Sequence, residues 1–141
     1  MTQNNRNGSK TVLIVDDDAA ALEEMAETLR DFGLSVFEAD RGSTALALAK
    51  EHQPRVVLMD FNLPGVNGLT IVHRMQEFLP NSSFIMISGM DAFCQQATTA
   101  NTNTFAVLKK PVSMDSIARY ISNRFQQSGD KVLDATKMMT G

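Results

Sequence analysis

At 141 residues the chain has room for one ordinary domain, and 43% hydrophobic with 21% charged residues is a globular composition that excludes wholesale disorder. Thirteen Lys and Arg against sixteen Asp and Glu give a formal charge of −3, which argues against nucleic-acid binding through bulk positive charge. A single cysteine, Cys94, excludes an internal disulfide and points to a reducing compartment. No apolar run approaches the roughly 20 residues that span a bilayer. Residues 1–9 are polar, lack the apolar stretch of a signal peptide and are expected to be a disordered tail. The expected setting is therefore soluble and cytoplasmic.

Order begins with Thr11-Val12-Leu13-Ile14-Val15, a β-branched run too short for a helix, which reads as a strand buried on both faces. It stops at Asp16-Asp17-Asp18. Leu22, Met25, Ala26, Leu29 and Phe32 then recur at helical spacing, with Asp18 as N-cap and Gly33 as C-terminal stop. Residues 35–39 form a second strand and 43–51 a second helix, closed by Pro54. Val56-Val57-Leu58-Met59 is a third strand ending at Asp60, followed by a turn over 62–65 and a helix from Asn67 to about Phe78. Residues 84–87 form a fourth strand ending at Ser88-Gly89. A helix of low intrinsic propensity, rich in Thr and Asn, is expected over 91–101. Residues 105–108 form a fifth strand ending at Lys109-Lys110-Pro111, and a last helix after Ser113 places Met114, Ile117, Ala118, Ile121 and Phe125 on one face. Five β-then-α units in series imply a doubly wound α/β domain over residues 10–127, with five helices flanking a parallel sheet. Residues 128–141 read as a tail or the start of a linker.

In such sheets chemistry collects just beyond the carboxyl ends of the strands. Asp16 and Asp17 follow the first strand, Asp60 ends the third, Ser88 the fourth, and Lys110 follows the fifth. With a strand order of 2-1-3-4-5 the three carboxylates become neighbours. Three like charges in one cleft call for a divalent cation, and an all-oxygen donor set beside an anion site suits Mg²⁺. A carboxylate is also a nucleophile toward phosphorus. Ser88 and Lys110 offer a hydroxyl and a point charge to phosphoryl oxygens. Taken singly, an Asp run after a strand is ordinary helix-start chemistry and Ser88-Gly89 an ordinary loop. Four strand ends supplying compatible groups is not ordinary. His52 and His73 lack metal-ligand spacing and read as surface residues, Cys94 has no recognisable partner, and Met25, Met75 and Met86 read as core.

The stretches 12–18, 57–68 and 85–89, together with Lys110-Pro111, resemble the receiver domain of two-component response regulators, over about residues 10–127. The resemblance implies a flavodoxin-like fold with a five-stranded sheet of order 2-1-3-4-5. It implies that Asp60 accepts a phosphoryl group from a sensor histidine kinase or a histidine phosphotransfer protein. It further implies Mg²⁺ held by Asp17, Asp60 and the backbone carbonyl of Asn62, with Asp16 acting mostly through water. Ser88 and Lys110 contact the phosphoryl oxygens, and the Lys110–Pro111 peptide is commonly cis. The output is a switch in binding to a downstream effector protein or domain. No turnover enzyme, no direct nucleic-acid or membrane contact, and a monomer or phosphorylation-dependent dimer are expected.

Two positions depart from the family pattern. Val107 stands where an aromatic switch residue is usual, with Phe105 two residues earlier expected on the same side of the strand. Asn103 stands where a glycine often closes the preceding helix, so that helix is expected to reorganise on phosphorylation in place of an aromatic flip. Two other functions compete. A degenerate receiver would bind partners without phosphorylation. An aspartyl phosphohydrolase would need a second carboxylate two residues after the nucleophile, where this chain has Asn62.

Overall fold

In the computed structural model, which describes residues 10–60, 62–63, 66–88, 104–109 and 113–126, the apolar run 11–15 is a strand buried along its whole length. In chain order the elements are β1 (Thr11–Val15), α1 (Ala19–Asp31), β2 (Ser35–Ala39), α2 (Gly42–His52), β3 (Val56–Asp60), β4 (Asn62–Leu63), β5 (Val66–Asn67), α3 (Gly68–Gln76), β6 (Ser83–Ser88), β7 (Thr104–Lys109) and α4 (Met114–Gln126). Five strands form one sheet in the order β2-β1-β3-β6-β7, with every pairing parallel. Numbered by their place in the sheet, this is the expected 2-1-3-4-5.

Because β1 and β3 have no polar face, each feeds two cores at once, and alternate residues sort them. Leu13, Val15, Val57 and Met59 point to one side, where Ala45 and Ala49 of α2 and Ile71, Val72 and Met75 of α3 pack with them. Val12, Ile14, Val56 and Leu58 point to the other, against Leu22, Met25, Ala26 and Leu29 of α1 and Ile117, Ala118 and Ile121 of α4. Met114 and Phe125 lie half-buried at the margin of the second core, so the face expected of the last helix is the one it buries. Met25, Met75 and Met86 are all core residues.

Local signals set the helix ends. Asp18 caps α1, its Oδ1 accepting from the amides of Ala20 at 3.0 Å and Ala21 at 3.3 Å. Gly33 ends it with φ +86°, and the bonds Gly33 N–H to Arg30 O (2.9 Å) and Leu34 N–H to Leu29 O (3.3 Å) complete a Schellman motif whose apolar pair, Leu29 and Leu34, is buried. Helix α2 ends on Gln53 in the left-handed region, φ 51°, with its amide on Ala49 O; Pro54 follows and forbids a further turn.

The structure differs from the sequence reading around Asn67. Residues 62–63 and 66–67 pair antiparallel, Asn62 with Asn67 and Leu63 with Val66, so Asn67 belongs to a small ladder and α3 starts one residue later. That helix stops at Gln76, and Glu77 and Phe78 continue as a turn through i→i−3 bonds. In β7 the register skips from Thr104 opposite Phe84 to Ala106 opposite Ile85, a bulge that leaves Phe105 outside the pairing. Strict alternation therefore does not carry from Val107 to Phe105. The helix expected over 91–101, Asn103, Cys94, the 1–9 tail and the 128–141 segment lie outside the described residues.

Leu58 is fully enclosed at the centre of the sheet. Leu58→Ala is expected to lower unfolding stability by about 2–5 kcal/mol, read as a drop in the urea midpoint at unchanged slope.

Candidate functional site

Two neighbouring strand ends build the site. β1 and β3 pair in the register Val15 to Met59, so the next residue on each, Asp16 and Asp60, emerges at the same level of the carboxyl edge. Both are buried, at 6% and 5% exposure, whereas Asp17 is exposed. One carboxylate oxygen from each of Asp16, Asp17 and Asp60 can be chosen so that all three lie within 4.8 Å of one another.

The chain turn holding Asp16 is fixed from two directions. Its amide donates to Ala39 O at the end of β2 (3.1 Å), and its own Oδ1 accepts from the Asp18 amide (2.9 Å). The second bond is an Asx turn, which bends the chain out of β1 while Asp18 begins to cap α1. Of the three consecutive aspartates, then, the first shapes the turn and lines the pocket, the second points into the exposed part of the cluster, and the third serves the helix. The Asp16–Ala39 tie was missing from the sequence reading, because β2 supplies it through a backbone carbonyl that no side chain advertises.

Ser88 ends β6 one residue beyond Ile87, which is the register partner of Asp60. Ser88 in turn pairs with Lys109, the last residue of β7. The strand ends carrying Asp60 and Ser88 are thus adjacent in the sheet. Lys110 and Pro111 lie outside the described residues, and Val107 sits in β7 opposite Met86. Asn62 opens the small ladder two residues past Asp60. His73 is exposed, while His52 stacks on Phe37 with ring centroids 3.9 Å apart, so neither histidine is part of the acidic cluster.

A sheet-edge pocket of carboxylates at this switch point, flanked by a hydroxyl-bearing strand end, can hold a hard cation through oxygen and present a nucleophile beside it. The chain matches the family model described as the response regulator receiver domain over residues 12–122. It belongs to that family. It is 26% identical over 125 residues to the probable transcriptional regulatory protein TcrX of Mycobacterium tuberculosis, an alignment covering 89% of this chain and 53% of that protein. Against Protein PilH of Pseudomonas aeruginosa the identity is 27% over 113 residues, covering 79% of this chain and 93% of PilH. The crystal structure of a CheY-like response regulator receiver domain protein from Methanospirillum hungatei superposes with a TM-score of 0.77 at 25% identity, covering 85% of this chain and 96% of that one. The chain spans about half of the first curated relatives it matches, 53% of one and 44% of another.

Among the described residues of this receiver no helix is long and apolar enough to cross a membrane. The cluster also has an electrostatic consequence of its own. Charges about 5 Å apart in a water-like medium repel by ~1 kcal/mol, a contribution that works against bringing the three carboxylates together without a metal. Asp17→Asn, which removes the exposed charge, is expected to stabilise the chelator-treated protein by about 1 kcal/mol at low salt, with the gain shrinking at ~1 M salt. Thermal unfolding in chelator at both ionic strengths checks this.

Proposed function

We propose that this receiver, read as residues 10–127, accepts a phosphoryl group on Asp60 from a phosphohistidine of a sensor kinase or phosphotransfer protein. The supporting observation is the meeting of Asp16, Asp17 and Asp60 at adjacent strand ends, with Ser88 on the next strand. In the transfer, a carboxylate oxygen of Asp60 forms a bond to phosphorus while the phosphorus–nitrogen bond of the donor breaks. The electron pair returns to the imidazole nitrogen, which picks up a proton.

The donor set fits Mg²⁺: three carboxylates at the edge of a sheet, one of them exposed so that water can complete the shell. Asp17, Asp60 and the backbone carbonyl of Asn62 would hold the ion, and Asp16 would act mostly through water. Bound there, it would offset the charge that gathers as a phosphoryl group approaches a carboxylate. Asp60, nearly enclosed, is held in place by the register of β3 between β1 and β6. Ser88 donates a hydrogen bond to a phosphoryl oxygen and Lys110 neutralises another, which lowers the barrier without either group reacting.

The mixed acyl phosphate is hydrolytically labile, so the domain acts as a timed switch and not as a turnover enzyme on an outside substrate. Its output is a change in affinity for an effector protein or domain, and its setting is the cytoplasm, where its phosphodonors reside.

Incubation with acetyl phosphate and Mg²⁺, followed by intact mass measurement, tests this reading. One phosphoryl adduct is expected, dependent on Mg²⁺ and absent in Asp60→Asn. Lys110→Ala is expected to form the adduct about 100-fold more slowly, the usual effect of deleting one charge-stabilising group. Absence of the adduct, together with failure to bind beryllofluoride, would replace this reading with a phosphorylation-independent binding module.

A further inference from the structure

β2 is the outermost strand beside β1, and its outward polar groups are identifiable from the bonds on its inner side. In a parallel strand the amide and carbonyl of one residue face the same neighbour, and successive residues alternate. Ser35 N–H donates inward to Lys10 O, and Ala39 O accepts inward from Asp16 N–H, so Ser35, Phe37 and Ala39 face β1 while Val36 and Glu38 present their backbone groups outward. Arg30 of α1 reaches over this edge. Its Nη2 donates to Val36 O at 2.9 Å and its Nη1 lies 3.0 Å from Glu38 Oε2. The guanidinium thus occupies the position of an amide from an added strand.

A groove of about 610 Å³ runs beside the same edge, between α1 and β2. Its walls carry Glu23, Glu27 and Arg30, on one stripe of α1, with Glu38, Asp40 and Thr44 opposite. Four carboxylates face one guanidinium, all of them exposed, and Asp40 has Arg41 at 3.1 Å on its outer side. Glu23 and Glu27 stand one helical turn apart, an arrangement of like charges that opposes the free helix. Pairing of β2 with a second copy of this chain would bring two acidic grooves together, so the charge disfavours self-association. A cationic strand satisfies both features: its backbone meets the outward groups of Val36 and Glu38, and its alternate side chains meet the carboxylates.

We infer that the β2 edge is a docking site for an extended, basic segment of a partner protein, which adds as a strand beside β2 with Lys or Arg side chains over Glu23, Glu27 and Glu38. Arg30 closes the edge in the free protein and leaves Val36 O when the segment docks. The site lies on the flank of the sheet and requires no phosphorylation.

The test uses the full ¹⁵N-labelled chain, saturated with Mg²⁺ so that the Asp16–Asp17–Asp60 cluster does not draw lysine, titrated with a capped peptide of alternating Lys and Val. Amide exchange at Val36 and Glu38 is expected to slow by about tenfold, the signature of new strand pairing. Glu23→Gln with Glu27→Gln is expected to weaken binding about tenfold, and Arg30→Ala, confirmed folded by circular dichroism, to strengthen it about threefold, because one variant removes attraction and the other a competitor. A peptide of alternating Glu and Val is expected not to bind. Absence of binding, or binding with unchanged exchange at Val36 and Glu38, would overturn the inference. So would self-association of the free chain in sedimentation that Arg30→Ala enhances and the basic peptide does not reverse.

Discussion

The pairing of β1 with β3, Val12 opposite Val56 through Val15 opposite Met59, determines which side chains meet at the carboxyl edge of the sheet. Each strand is buried on both faces, so its register is held by two cores at once. A slip of one residue in β3 would send Leu58 and Met59 to the wrong cores and displace Asp60 by about 3.3 Å from Asp16. The chemistry therefore inherits its precision from apolar packing well below it. Neither Asp16 nor Asp60 needs a rigid loop of its own, since each is the first residue to leave, or the last to remain in, a strand that cannot shift.

This arrangement also accounts for acidic groups that folding alone would discard. Bringing Asp16 and Asp60, both buried, beside Asp17 adds like-charge repulsion that works against the folded state. The cores built on Leu13, Val57 and Phe84 on one side, and on Ile14, Leu58 and Ile117 on the other, supply the stability that offsets it. A cation held among these oxygens would relieve that repulsion. The sheet beneath can stay unchanged while the edge changes its charge.

The strands and their acidic ends were legible because uninterrupted runs such as 11–15 and 56–59 have only one use in a chain of this length, and an aspartate at the end of such a run is conspicuous. The caps of α1 were equally plain in Asp18 and Gly33. The ladder between 62–63 and 66–67 was not, since two residues a side carry no periodicity and Pro64-Gly65 reads as a turn either way. The left-handed Gln53 was hidden for a related reason: a residue other than glycine or asparagine gives no sign of that conformation. The stacking of His52 on Phe37, the Arg30 contact with Val36 O and the Asp16–Ala39 bond depend on how separate elements come together in space. No local pattern encodes them.

That last bond bears on how the chain can change length over time. β2 carries none of the residues assigned to the chemistry, and loops joining such a strand to its helices would ordinarily absorb insertions and deletions freely. Here the amide of Asp16 hangs from Ala39 O, so the end of β2 sets the height at which the first pocket aspartate stands. Extra residues in the turn after Gly33 can be taken up while β2 keeps its register with β1. A single residue gained or lost within β2 itself would offer Asp16 a carbonyl facing the wrong way. Even the strand without chemistry is thus not free to drift in length.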